Sequence, residues 1–136
     1  MPVTAKELRG ILDEVMKQVD ADPEDVCRLR AAAAPLRLDF TDLSLVLNIR
    51  RAEDGHVRWD FKKTAAAKAK LGLAMDSDFA NRLMQGRENP AIAIARGRLH
   101  TTIVDAGAAL RLFPAVAPMF ARYRELVATK YPHLSV

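Results

Sequence analysis

Along this chain the hydrophobic period changes from helical to alternating. That change excludes both a helical bundle and an all-strand sandwich. Leu8, Ile11, Leu12, Val15, Met16 and Val19 recur at the helical spacing of about 3.6 residues and form one apolar stripe. Thr4 and Glu7 stand ahead of them in capping-box spacing. Asp22 is placed to cap a second helix with Pro23 at its first position, running through Ala31–Ala34 and stopping near Pro35. Leu43, Leu45, Leu47 and Ile49 then alternate with Ser44, Val46, Asn48 and Arg50, the pattern of a half-buried strand. Asp54-Gly55 supplies turn chemistry. Val57, Trp59 and Phe61 make the second strand of a hairpin, and Leu71, Leu73 and Met75 a further strand. Ala65–Ala67 between them reads equally as a short strand or a connection.

The second half adds two short helices. Asp76 or Ser77 caps the first, with Phe79, Leu83 and Met84 inside and Gly86 placed to end it. Asn89-Pro90 opens the second, and Gly97 ends it. Leu99, Thr101 and Ile103 alternate as a last strand. Ala106 to Tyr131 reads as helical, with a kink or break at Pro114 and Pro118. The connections between strands are short, so antiparallel pairing is expected. The fold class is α+β, an antiparallel sheet with helices on one face.

The 136 residues are half hydrophobic and 28% charged. A chain of this length buries roughly two-thirds of its unfolded surface, enough for one domain with a core of its own. The lone cysteine, Cys27, excludes a disulfide framework and a multi-cysteine metal site, and it reads as a small core residue. Neither a secretory signal nor an uninterrupted apolar stretch of about 18 residues is visible, so a cytoplasmic protein is expected. Charge is uneven. Residues 1–60 carry nine Lys/Arg against twelve Asp/Glu, net −3, while 61–136 carry twelve against five, net +7. A basic half suits an anionic partner surface.

Catalytic constellations are absent from the sequence. His56, His100 and His133 share no metal-ligand spacing, and no HExxH, CxxC, GxSxG or glycine-rich phosphate loop occurs. The basic residues are not interleaved with aromatics, which argues against nucleic acid as partner. The apolar surplus lies in Phe79–Phe120, where Leu83, Met84, Ile92, Ile94, Leu99, Leu112, Val116 and Met119 are interspersed with alanines. Small side chains opposite large ones leave room, and methionine suits variable apolar partners.

Three runs carry a resemblance. They are Met75-Asp76-Ser77-Asp78-Phe79, then Leu83-Met84-Gln85-Gly86-Arg87-Glu88-Asn89-Pro90, then Ala95-Arg96-Gly97-Arg98-Leu99. In order and spacing they resemble the sterol carrier protein type two family, and Val46-Leu47-Asn48-Ile49-Arg50, Gly55 and Trp59 fit its first two strands. The resemblance covers roughly residues 5–131. It implies an antiparallel sheet of about five strands and an apolar tunnel between sheet and helices. The ligand would be a sterol, fatty acid or fatty acyl-CoA, bound and transferred without catalysis.

Carried onto this chain, the resemblance implies a single lipid-binding domain over 1–136. Its N-terminal helices would cover 5–34, its sheet and tunnel 36–105 and a C-terminal helical cover 106–131. The tunnel wall would include Phe79, Leu83, Met84, Ile94, Leu99, Ile103, Leu110 and Phe113, with Met119 and Phe120 covering the opening. Arg96, Arg98 and Arg111 would meet a lipid headgroup at the mouth, and Arg82 and Arg87 an anionic membrane during transfer. No cofactor and no metal is implied. The alternative is an accessory domain or subunit that presents lipid or steroid intermediates to a lipid-metabolising enzyme.

Overall fold

A computed structural model of the chain describes residues 3–32, 36–63, 71–101 and 106–136, with side chains in the last stretch described from Phe113 onward. Helix α1 spans Ala5–Ala21, and both halves of its capping box are made. The Glu7 N–H donates to Thr4 Oγ1 at 3.1 Å, and the Thr4 N–H donates to Glu7 Oε1 at 3.5 Å. All six residues of its apolar stripe are buried. Helix α2 spans Pro23–Ala32, and Asp22 Oδ1 accepts from the Glu24 and Asp25 N–H groups at 3.0 and 3.2 Å. Val26 and Leu29 face the core, whereas Cys27 is exposed. This corrects the reading of Cys27 as a core residue. One position beyond Val26, it is turned about 100° around the helix, away from the core face.

Strands β1 (Leu36–Phe40), β2 (Leu45–Arg51), β3 (Val57–Asp60), β4 (Leu71–Met75) and β5 (His100–Thr101) form one sheet in the order β3-β2-β1-β4-β5. The pairs β1–β2, β2–β3 and β4–β5 are antiparallel, and the central pair β1–β4 is parallel. Strand β1 precedes the first alternation expected from the sequence. Leu43 lies in the turn between β1 and β2 rather than in a strand. The Asp54-Gly55 turn closes the β2–β3 hairpin, with Gly55 at φ +90°, where a side chain would be strained. The expected strand or connection at Ala65–Ala67, and Ile103 at the end of the last strand, lie outside the described residues.

Register sets the inner face. Leu38 stands beside Leu47 on one side and Leu73 on the other, and Phe40 beside Leu45 and Met75. Leu36, Leu38, Phe40, Leu73 and Met75 are therefore neighbours on one apolar surface, while Arg37 and Asp39 point to the opposite one.

Helix α3 (Ser77–Met84) starts at Asp76, whose Oδ1 accepts from the Phe79 N–H at 2.7 Å. Asp42, in the β1–β2 turn, accepts from both the Ser77 N–H and its hydroxyl at 2.7 Å, which ties α3 to the sheet. Gly86 follows at φ +80°. Helix α4 (Pro90–Ala95) is capped by Asn89.

Helix α5 runs Ala106–Lys130 as one helix with Pro114 and Pro118 inside it, so the prolines do not break it. Each proline removes one helical hydrogen bond. Pro114 is exposed and Pro118 half-buried, while Val116, Met119, Tyr123, Leu126 and Val127 bury the opposite side. Arg122 also fastens α5 to α2 through Asp22 and Asp25 at 3.2 and 2.9 Å. A 3-10 turn, Pro132–Leu134, follows.

Candidate functional site

The inner face of β1 and β4 is roofed by α3 and α5, and the four elements meet along an apolar seam. Leu36, Leu38 and Phe40 of β1 and Leu73 and Met75 of β4 form its floor. Ala80, Leu83 and Met84 of α3, spaced to share a helix face, form one wall. Phe113, Val116, Met119 and Phe120 of α5 form the other. Among the described residues, no titratable or polar side chain lines the seam. The chemistry it offers is burial of apolar surface.

The seam is closed. Its cavity measures about 20 Å³, room for about one water. Phe113 and Phe120, both half-buried, pack ring against ring at 6.2 Å with a 56° tilt.

Five of the residues expected to contact lipid line the seam: Leu83, Met84, Phe113, Met119 and Phe120. Phe79 is fully buried beside it, its ring 5.1 Å below the Arg98 guanidinium. Leu99 belongs to the core, and Ile94 is half-buried against it. Ile103 and the side chain of Leu110 lie outside what is described. Sequence reasoning missed the floor. Leu36, Leu38 and Phe40 carry a two-residue alternation that could have marked a strand. Leu73 and Met75 were read as strand residues without a role in the site. Val116 was named only among the apolar surplus.

Arg82, Arg87, Arg96 and Arg98 sit outside the seam. Arg82 Nε donates to Glu88 Oε1 at 3.0 Å, and a further bond joins it to the Asp78 carboxylate. The Glu88 bond raises the pKa of Arg82 above its usual value, with Asp78 adding to the effect and burial opposing it. Arg98 stands 3.8 Å from the same Glu88. Arg87 Nε donates to the Val136 carbonyl at 3.1 Å. Arg96 is exposed at the end of α4. The side chain of Arg111 lies outside what is described.

A buried polar bolt joins α3 to α5 next to the seam. The Tyr123 hydroxyl donates to Asn81 Oδ1 at 2.7 Å, and Asn81 Nδ2 donates to the Leu134 carbonyl at 2.9 Å. Gln85 Nε2 donates to Asn81 Oδ1 and to the same carbonyl, at 2.8 and 2.9 Å. Burial, with Glu7 adding, pushes the Tyr123 pKa far above its usual value, so the hydroxyl stays a neutral donor. The Phe113–Phe120 stretch of α5 has apolar contacts instead. The two lengths of α5 are thus held by different forces.

By sequence, no family model and no curated protein matches the chain. Solved structures do. Sterol carrier protein 2 superposes with a TM-score of 0.61 at 13% identity, over 85% of this chain and 95% of that one. The fold is that of sterol carrier protein 2. The same fold occurs in a UbiJ-SCP2 ubiquinone synthesis protein, at a TM-score of 0.54 and 16% identity over 85% of this chain and 90% of that one. It occurs again inside a stereoselective inverting sec-alkylsulfatase from Pseudomonas sp., at a TM-score of 0.53 and 14% identity. There 69% of this chain is matched, and the match spans 14% of the sulfatase. Among the described residues, no helix is long and apolar enough to cross a membrane.

Proposed function

We propose that residues 1–136 form one lipid-binding domain, which takes a sterol, fatty acid or fatty acyl-CoA into the seam and hands it on without turnover. The observation that carries this reading is a lining, apolar throughout among the described residues, contributed by four elements of a sterol carrier fold. Sites for ligands of this size measure about 300–1,000 Å³, so entry requires α5 to move. The end that moves is the Phe113–Phe120 stretch, because the Asn81–Tyr123 bolt holds the other.

A lipid burying about 300 Å² of apolar surface gains roughly 7–8 kcal/mol at ~25 cal/mol per Å². Association takes back several kcal/mol, as does parting the phenylalanines, which leaves millimolar affinity or weaker from apolar burial alone, so contacts to the lipid head must supply the rest. A carboxylate or phosphate head at the mouth meets Arg96, Arg98 or Arg111. Arg82, engaged by Asp78 and Glu88, orients Glu88 and through it Arg98.

Native mass spectrometry and displacement of a fluorescent fatty acid test the proposal. The expected result is one lipid per chain, and no bound or bindable lipid in either measurement refutes it.

A second reading, presentation of a lipid or steroid intermediate to a partner enzyme, is favoured by two observations. The fold recurs in a ubiquinone synthesis protein and as a small part of an alkylsulfatase. Co-purification with a lipid-metabolising enzyme whose turnover falls without this chain would support it over free transfer.

A further inference from the structure

A second cleft lies between α1 and β3, the strand at the opposite edge of the sheet from β5. Among the described residues its lining shares nothing with that of the seam. It measures about 730 Å³, within the range of about 300–1,000 Å³ typical of small-ligand sites. Half-buried Trp59 and Phe61, two positions apart and so on one side of the strand's path, supply its apolar surface.

The aromatic side is held in place. The Trp59 indole N–H donates to Asp13 Oδ1 at 2.9 Å, and the Arg9 guanidinium lies 4.9 Å over the Phe61 ring. Groups already fixed lose little freedom when a ligand stacks on them. Gly10 lines the α1 side. A Cβ there would meet nothing within 4 Å, so packing does not demand glycine, and glycine is among the residues least suited to a helix interior. The missing side chain leaves the cleft open.

Charge around the cleft is unbalanced. Asp13 is engaged by Trp59 and by Lys17, the latter at 3.0 Å. Asp60 accepts from Asn48 Nδ2 and the Lys62 N–H at 2.9 and 3.0 Å and pairs with Arg50 at 2.9 Å. Both carboxylates are thus occupied. The side chains of Lys6, Arg9 and Lys62 are exposed, and no carboxylate among the described residues forms an ion pair with them. Lys6 and Arg9 meet the aromatic pair only through the fold, some fifty positions away in the chain.

The geometry points to a binding site in this cleft for a small molecule that joins a planar aromatic ring to an anionic group, as a nucleoside monophosphate or an aromatic carboxylate does. The ring lies against Trp59 and the Arg9 guanidinium, and the anion meets Lys6 and Lys62. The site stands whether or not the seam takes lipid.

Trp59 is the chain's one tryptophan, so its fluorescence reports on the cleft. The test titrates the full chain with AMP, adenosine, ribose 5-phosphate and benzoate, with calorimetry on the same samples. The expected result is saturable quenching by AMP that salt weakens, with adenosine and ribose 5-phosphate each at least tenfold weaker. Benzoate matching AMP assigns the site to aromatic anions generally, and benzoate far weaker assigns it to nucleotides. Lys6→Glu and Lys62→Glu should each weaken AMP binding by about tenfold. Arg124→Glu, the same charge change beside Gly86, should leave it within about twofold. Gly10→Leu should melt no lower than wild type yet bind at least tenfold more weakly, a pairing that a damaged helix would not give. Ribose 5-phosphate equal to AMP would mean an adventitious ion only. That result, no saturable binding of AMP or benzoate, Arg124→Glu matching Lys6→Glu, or wild-type binding by Gly10→Leu overturns the inference. So does an oligonucleotide that binds far more tightly than AMP, since the cleft would then be part of a longer track.

Discussion

Ala80→Leu separates a lipid site from an ordinary core. Ala80 is fully buried on α3 and lines the seam. The substitution adds three carbon atoms where the cavity measures about 20 Å³, space for about one water. Overpacking of this kind costs about 1–3 kcal/mol. At an unfolding entropy of about 2.1 cal/mol/K per residue, the chain loses about 3.5 °C of Tm for each kcal/mol, so Ala80→Leu should melt about 3–11 °C lower and still fold. Wild type with lipid at about 100 times its Kd gains about 2.7 kcal/mol, a rise of roughly 9 °C. The variant should lose most of that rise, because leucine and ligand compete for the same volume. The assay is a thermal melt of both proteins with and without fatty acid, alongside fluorescent displacement. An undiminished ligand-induced shift in Ala80→Leu would refute the placement of lipid between α3, α5 and the β1–β4 floor.

Three other perturbations read out different parts of the structure. Asn81→Leu strands the Tyr123 hydroxyl, while the Gln85 amide keeps the Leu134 carbonyl, and should cost about 1–3 kcal/mol in urea unfolding, against about 0.5–1.5 for Tyr123→Phe, which leaves Asn81 bonded to Gln85; a larger loss for Tyr123→Phe would contradict the bolt. The Trp59 indole N–H, with Lys17 assisting, holds the Asp13 carboxyl below its ordinary pKa against the opposing effect of burial. That stabilisation is present above the unfolded value of about 3.9 and disappears as pH falls through the lower folded value. Trp59 fluorescence should therefore change only below about pH 4, and Asp13→Asn should abolish the change. Gly86→Ala places a Cβ at φ +80°, 3.2 Å from the flexible end of Arg124. It should cost about 1–2 kcal/mol from backbone strain, and a neutral result in chemical denaturation would mean that the turn relaxes.

The helices were legible because their signals are local. The Thr4–Glu7 box, Asp22-Pro23, Asp76, Asn89-Pro90 and the glycines at 86 and 97 each act within a few residues. The β2–β3 hairpin was legible for the same reason. Strand β1 was missed because Leu36, Leu38 and Phe40 offer only three alternating positions between the Pro35 stop and the longer run from Leu43. Its parallel pairing with β4 was not legible either, since alternation encodes which face a residue takes and not which strand lies beside it. Cys27 was misplaced because type alone suggested burial, while its angular distance from Val26 decides otherwise. The seam walls on α3 and α5 came from motif and apolar density. Whether small residues there leave a space depends on how volumes fit in three dimensions, and composition does not carry that.

The parallel pairing of β1 with β4 also sets an order of events in folding. The β1–β2 and β2–β3 hairpins close over short turns, on the microsecond scale of hairpin formation. The floor of the seam exists only once Leu36 and Leu71 meet across the whole intervening hairpin, a loop-closure step with a larger entropic cost. Helix α5, the roof, follows last in the chain. A nascent chain therefore presents Leu36, Leu38 and Phe40 before Phe113 and Phe120 have been synthesised. Until α5 is made, that apolar floor stands uncovered, so the last helix decides when the surface of β1 leaves water.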